Sequence, residues 1–244
     1  MRYLVLSDIH ANLDAFVAVL DKASEIGYDK MVFLGDAVGY GVDPKECLEI
    51  LKDKMSYGVA GNHDKAIVNP DELSYFNEIA RQAILWTREK LKNTPFIKFL
   101  EDLPYTKEIE PGIIITHSTI SEPRYWEYIL TPYDAEAEFN TTFFEIMLYG
   151  HTHIPIAFEY QDEGKVIPIL ESTIYLDKNK RYILNPGSVG QPRDGDNRAS
   201  FAILDTEKYV FKIYRVSYPY EEQQKKMLIE GSPMDLIDRL EMGL

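Results

Sequence analysis

The chain has 244 residues, 45% of them hydrophobic, and a formal net charge of −14, the makeup of an ordinary globular protein with room for one substantial core. Such acidity repels nucleic acid and anionic membranes, and an enzyme of this charge that handled phosphate would need cations from elsewhere, such as bound metal. No apolar run approaches the roughly 20 residues that span a bilayer, and Asp8 interrupts the N-terminus too early for a secretory core. The single cysteine, Cys47, cannot form an intrachain disulfide and reads as a small buried residue in a cytoplasmic protein.

In chain order, Tyr3–Leu6 is a short apolar run that ends in Ser7-Asp8, the pattern of a buried strand. Asn12 then stands as an N-cap before the helical spacing of Leu13 to Leu20. Met31–Leu34 repeats the strand and stops at Gly35-Asp36; a helix over Pro44–Lys54 leads to Tyr57–Ala60 and Gly61-Asn62-His63-Asp64. This β-α-β-α-β order implies parallel strands with right-handed crossovers. Residues of about 65–103 break the rhythm with a long amphipathic helix (Phe76 to Leu91) and a shorter segment, an insertion over one face of the core. Ile113–Thr116 ends at His117, and Ile146–Tyr149 ends at Gly150-His151-Thr152-His153. Beyond Ile154, the runs 157–160, 166–170, 182–184, 200–204 and 210–216 read as antiparallel strands joined by polar turns such as Gln161–Gly164, and 219–244 as two short helices. The expected architecture is α/β: two packed mixed sheets flanked by helices, one domain over 1–244.

All five histidines fall at the polar ends of strands, together with Asp8, Asp36 and Asn62. In open α/β sheets, ligands bind outside the carboxyl ends of the strands, so residues distant in sequence meet there. A lone His or Asp at a strand end is usually a turn or capping residue. The spacings Asp8-x-His10, Asn62-His63-Asp64 and His151-x-His153 make that reading hard to sustain for the whole set. Imidazole, carboxylate and amide oxygen together suit manganese, iron, cobalt, nickel or zinc. The seven candidate ligands Asp8, His10, Asp36, Asn62, His117, His151 and His153 are too many for one open catalytic ion and enough for two that share a carboxylate.

The series Asp8-x-His10, Gly35-Asp36, Gly61-Asn62-His63-Asp64, His117 and Gly150-His151-x-His153 resembles, motif by motif and in order, the calcineurin-like metallophosphoesterase superfamily. Asn185–Gly195 resembles a signature of its smaller bacterial and archaeal phosphodiesterase-like members. The resemblance implies a four-layer α-β-β-α fold and hydrolysis of a phosphomonoester or phosphodiester of a small molecule by a hydroxide that bridges two divalent transition-metal ions, manganese foremost. It implies Asp8, His10, Asp36 and His153 on one ion and Asp36, Asn62, His117 and His151 on the other, with His63 as the catalytic acid. The protein serine/threonine phosphatases carry Arg shortly after Gly-Asp; here Gly39-Tyr40-Gly41 follows Ala37-Val38, which argues against that activity. Ser118 follows His117 where many relatives have Gly, and no nucleophile elbow accompanies it.

Arg193 and Asn12 are candidate substrate contacts, with an ion pair and a helix cap as their respective alternatives. Tyr125, Trp126 and Tyr128 read as packing residues, or as pocket lining for a nucleoside or aromatic leaving group. A non-catalytic scaffold of the same fold would be expected to lose ligands, and a DNA nuclease to carry a basic track; this chain does neither. The expected partner is a small phosphorylated substrate, with no nucleic acid or membrane, and exposed β-edges permit a homo-oligomer.

Overall fold

The computed structural model describes residues 1–161 and 164–244. Twelve strands form two six-stranded sheets among the described residues. The first sheet begins with β1 (Arg2–Leu6), β2 (Lys30–Phe33) and β3 (Met55–Gly58), and the second with β4 (Thr106–Glu110), β5 (Ile113–Thr116) and β6 (Ile146–Leu148). Then follow β7 (Ile156–Tyr160), β8 (Val166–Ile169), β9 (Thr173–Tyr175), β10 (Arg181–Asn185), β11 (Ala199–Asp205) and β12 (Val210–Val216). The sheet orders are β3-β2-β1-β11-β12-β9 and β4-β5-β6-β10-β7-β8.

The strands read as apolar runs because both faces of each sheet are covered. Tyr3 and Val5 of β1 point into the cluster between the sheets, with Ile115, Leu148 and Leu184 opposite, whereas Leu4 and Leu6 point outward. The outer face of the first sheet is covered by α1 (Leu13–Ile26) and α2 (Pro44–Lys54), through Phe16, Val19, Cys47 and Leu48. The outer face of the second is covered by α6 (Pro132–Thr141), whose Ala135 and Phe139 meet Met147, Phe158 and Ile183. The layers are thus helix, sheet, sheet, helix. Each large apolar side chain buried in them contributes about 1.5–3 kcal/mol.

Asn12 caps α1 by accepting from Ala15 N–H at 3.1 Å, and Pro44 occupies the first turn of α2. Between 62 and 102 lie α3 (Asn62–Val68), a 3-10 turn (Pro70–Tyr75), α4 (Glu78–Leu91) and α5 (Phe96–Asp102). The chain closes with α7 (Tyr220–Ile229) and α8 (Met234–Met242). Among the described residues no helix is long and apolar enough to cross a membrane.

Several elements differ from the sequence reading. The third strand covers Met55–Gly58, not Tyr57–Ala60, because Val59 to Gly61 already turn toward the rim. β4, β9 and α6 were not expected: β4 alternates weakly among charges at a sheet edge, and β9 has three residues. The start of α6 does carry a sequence signal, a capping box between Thr131 and Asp134 with Pro132 in the first turn. The later strands are not one antiparallel half, since β11 and β12 complete the first sheet and β10 runs parallel to β6. In the Gln161–Gly164 turn, Asp162 and Glu163 lie outside the described residues.

Candidate metal centre

The parallel strands of both sheets end on one rim. β1 delivers Asp8 and His10, β2 delivers Asp36, and the turn after β3 delivers Asn62 and His63 from the first sheet. β5 delivers His117, and β6 delivers His151 and His153 from the second. The two halves are laced together: His117 Nδ1 lies 2.7 Å from the Leu34 carbonyl oxygen, and His151 N–H donates to Asp8 Oδ2 at 3.1 Å. Asp64 does not orient His63; its carboxylate accepts the main-chain N–H groups of Asp36, Ala37 and Gly61 and so fixes the Gly-Asp turn. A side chain at position 61 would overlap Asp36, its Cβ falling 2.0 Å from Oδ1, so only glycine admits this approach.

Five of these residues hold a left-handed backbone: Asp8, His10, Asp36, His151 and His153, with φ between 50° and 66°. Non-glycine residues rarely adopt it, at a cost on the order of 1–3 kcal/mol each, so such clustering marks a functional site.

The histidine hydrogen bonds determine which nitrogens face inward. His10, His117 and His153 each place Nδ1 on a main-chain carbonyl, of Val38, Leu34 and Gln191 at 3.0, 2.7 and 2.5 Å. Donation to these carbonyls puts the ring proton on Nδ1 and leaves Nε2 as a lone pair. His151 is held the other way, with Nε2 at 2.8 Å from the Trp126 carbonyl, which leaves Nδ1 free. The inward atoms then crowd without protons between them: His10 Nε2 and His153 Nε2 are 3.1 Å apart, and His153 Nε2 is 3.3 Å from Asp8 Oδ1. Asp36 Oδ2 lies 3.7 Å from His10 Nε2 and 3.4 Å from His117 Nε2, and Asn62 Oδ1 is 3.2 Å from His117 Nε2. Buried electron-pair donors converging this way, with Asp8 Oδ1 lacking any hydrogen bond, are the donor set a divalent cation satisfies.

Electrostatics agree. Burial opposes charge on every member of the cluster. It pushes His10 well below the ordinary imidazole value and His151 down to about 3. Burial also disfavours the Asp8 and Asp36 carboxylates, but the histidines around them, His153 for Asp8 and His117 for Asp36, hold both below the usual carboxylate range. His117 is the exception among the imidazoles: Asp36 beside it outweighs burial and lifts it to about 9. The centre therefore combines two buried carboxylates with imidazoles of His10, His151 and His153 that burial keeps neutral, while His117 holds a proton against Asp36 that a cation bound there would displace.

The rim matches the sequence motifs in a superfamily whose likeness extends over most of the chain: residues 1–209 match the calcineurin-like phosphoesterase superfamily domain. The chain belongs to that superfamily. A metallophosphoesterase from Sphaerobacter thermophilus superposes with a TM-score of 0.87 at 38% identity, over 100% of this chain and 99% of that one. An uncharacterized protein of Methanocaldococcus jannaschii is 40% identical over 98% of this chain and 97% of its own. The phosphodiesterase YfcE of Escherichia coli is 24% identical over 85% of this chain and 89% of its own. Like other calcineurin-like phosphoesterases, the chain is a metal-dependent hydrolase of phosphate esters.

His63 differs from the other four histidines. Its ring lies between His10, Tyr40 and Phe76, with centroids 4.8, 4.5 and 4.9 Å away, and its buried Nδ1 has no hydrogen-bond partner. Its main-chain N–H donates to Asp36 Oδ1 at 2.9 Å. Burial pushes His63 down to about 4 against the pull of Asp36, so the ring is neutral at pH 7.

Arg193 reaches the same cleft. Nη2 donates to Gln191 Oε1 at 2.9 Å and touches the Tyr40 hydroxyl at 3.4 Å, while the buried Nε has no partner. No acid pairs with it among the described residues: its neighbour Asp194 pairs with Arg215 instead. Asn12 has no such freedom. Its Oδ1 caps α1, and its Nδ2 donates to the Gly190 carbonyl and the Tyr218 hydroxyl, so both polar atoms are spent inside the fold. Trp126 and Tyr128, read from sequence first as packing residues, line the cleft: Tyr128 stacks on His151 at 4.2 Å.

Sequence reasoning missed the brace behind the rim. Asn185 Nδ2 donates to the Gly150 carbonyl, Ser188 Oγ to the Asp8 carbonyl, and Gln191 supplies the carbonyl beneath His153. The Asn-Pro-Gly-Ser stretch was visible in sequence, but as a signature without a role. Tyr40 and Phe76, both against His63, carried no signal beyond their residue type.

Proposed function

We propose that the chain is a binuclear phosphoesterase acting on a small phosphorylated molecule in the cytoplasm, with residues 1–244 as one catalytic unit and the helical segment of about 65–103 inserted over one face of the core. Asp8, His10, Asp36 and His153 would hold one divalent ion; Asp36, Asn62, His117 and His151 would hold the other. Manganese is the first candidate, with iron, nickel, cobalt and zinc as alternatives. When bound, the pair supplies Lewis acidity toward the phosphoryl oxygens and lowers the pKa of water in the cleft.

The observation that carries this reading is the position of Asp36 Oδ2, within 3.7 Å of His10 Nε2 and 3.4 Å of His117 Nε2, shared between the two donor groups. A carboxylate there would serve both ions.

His63 is the acid rather than a ligand. Its nitrogens lie within reach of His10 and Asp36, so proximity alone does not separate the roles. Support comes from the carbonyl partners: each of the four proposed ligand histidines has one, as metal-binding imidazoles nearly always do, and His63 has none. An anionic ester against its ring stabilises the imidazolium, so the ring takes up a proton from solvent as the substrate binds and passes it to the departing oxygen. Arg193, steered by Tyr40 and Gln191, binds a phosphoryl oxygen.

Purified protein loaded with manganese is expected to hydrolyse p-nitrophenyl phosphate or bis(p-nitrophenyl) phosphate, and elemental analysis to find two ions per chain. Inertness toward both esters with manganese, cobalt, nickel and zinc alike would defeat the proposal.

A further inference from the structure

The cleft has more aromatic surface than phosphoryl chemistry uses, and the rings come from two separate segments. Tyr75 ends the 3-10 turn, and Phe76, the residue after it, meets His63 edge-on at 4.9 Å. Tyr125, Trp126 and Tyr128 belong to the loop between β5 and α6, where Tyr128 stacks on His151 and Trp126 stands 5.9 Å from the His117 ring. Both sets line one cavity of about 310 Å³ together with Asp36, Asn62 and Arg193. Apolar rings therefore stand on the His63 side and on the His151 side of the same centre.

Folding does not account for the outermost pair. Tyr75 and Tyr125 are 78% and 69% exposed, so they bury little core surface. Large aromatic rings held in water at the mouth of a cavity are suited to cover a flat ligand. Arg193, with its unpaired Nε, and Arg124, which lies over the Tyr105 ring at 5.0 Å, both line this cavity. A phosphomonoester brings one organic arm and a diester brings two. Rings on both sides of the centre match the two arms of a diester.

We propose that the substrate is a small phosphodiester with planar aromatic arms of aryl or nucleobase size. The departing arm lies against Phe76 and Tyr75, beside His63, and the retained arm against Tyr125, Trp126 and Tyr128. This rests on the phosphoesterase reading above and adds the class of its substrate. A nucleic-acid strand is disfavoured as the source of such arms, because a chain of net charge −14 offers no cationic track for a polyanion.

Two diesters with the same leaving group isolate the retained arm: bis(p-nitrophenyl) phosphate and ethyl p-nitrophenyl phosphate. The manganese-loaded protein is expected to show a KM at least about fivefold lower for the bis-aryl ester, the size of one stacked ring. Tyr125→Ala should narrow that gap, and the control Tyr175→Ala, an equally exposed ring on the edge strand β9, should leave it intact. A readout independent of turnover uses Trp86→Phe, which leaves Trp126 as the sole tryptophan. Diphenyl phosphate should then quench its fluorescence at concentrations where diethyl phosphate does not. Equal KM values for the two diesters in the unmodified protein, or equal quenching by the two probes, would overturn the proposal. Failure to turn over either diester while p-nitrophenyl phosphate is hydrolysed would overturn it too, whereas inertness toward all three esters with manganese, cobalt, nickel and zinc alike would remove the phosphoesterase reading and leave the fluorescence titration to decide the aromatic-arm proposal.

Discussion

The strand-end rim and the aromatic wall face one another across the same cleft, yet they are held by different means. On the rim, Asp8, His10, Asp36 and His117 are essentially inaccessible to solvent, and main-chain carbonyls fix the imidazole rings. On the wall, the rings come from a loop and a short helical turn, and the outermost are open to water. A rim residue cannot change without leaving buried donors unmatched or vacating a left-handed backbone position. A wall residue can change at little structural cost. The chemistry is thus written into the backbone, while substrate choice is left to replaceable side chains. His63 stands at the boundary, on the first turn of α3, with its main chain tied to Asp36 and its ring among the wall residues Tyr40 and Phe76.

The comparison breaks most sharply at Asp36, the carboxylate common to both donor groups. Asp36→Ala is expected to reduce bound metal from two ions to one or none and to lower kcat/KM on the order of a thousandfold or more, checked by elemental analysis and ester hydrolysis. Retention of two ions at wild-type affinity would show that the rim does not depend on a shared carboxylate. His63→Asn should separate chemistry from metal binding: kcat falls about a hundredfold to ten-thousandfold with metal content unchanged. Loss of metal in that variant would make His63 a ligand and erase the distinction drawn from its missing carbonyl.

The same contrast explains what was legible in the sequence. The parallel strands were readable because runs such as Tyr3–Leu6 are apolar on both faces, and the rim because its residue types and spacings are rare in combination. The left-handed backbone at Asp8, His10 and Asp36 was not readable, since nothing about Asp or His demands it; tertiary lacing through Asp64, Asn185 and Ser188 imposes it. Nor was the pairing of β10 with β6, a long-range contact that local pattern does not encode. For Asn12, the sequence offered cap and substrate contact together, and only three-dimensional contacts to Gly190 and Tyr218 show both polar atoms occupied.

Asp64→Asn probes whether the rim is held as rigidly as its hydrogen bonds suggest. The amide keeps the shape but sets an NH2 group where the carboxylate accepted one of three main-chain N–H groups. Leaving such a buried donor unmatched costs about 1–3 kcal/mol, a Tm lower by about 2–12 °C for a chain of this size, read by thermal melting in the presence of chelator. An unchanged Tm would mean that the Gly-Asp turn holds without its clamp.

The smallest expected effect lies where wall and rim are joined. Glu138 of α6 is buried and accepts the N–H groups of Ile120 and Ser121 at 2.7 and 3.2 Å, together with the Ser121 hydroxyl, at the start of the loop that carries Trp126. The far end of that loop is tied by the Tyr149 hydroxyl, which donates to the Ile129 carbonyl at 2.8 Å. Between these anchors, the Trp126 carbonyl holds His151. Glu138→Gln keeps one acceptor oxygen and the side-chain volume, so the loop loosens without losing its fold. Loss of about 1 kcal/mol at this anchor should reach His151 through the Trp126 carbonyl and lower kcat/KM about fivefold with two ions still bound. If the wall were independent of the rim, KM alone would rise and kcat would stay fixed; a fall in kcat shows that the loop which shapes the pocket also sets the orientation of a proposed ligand.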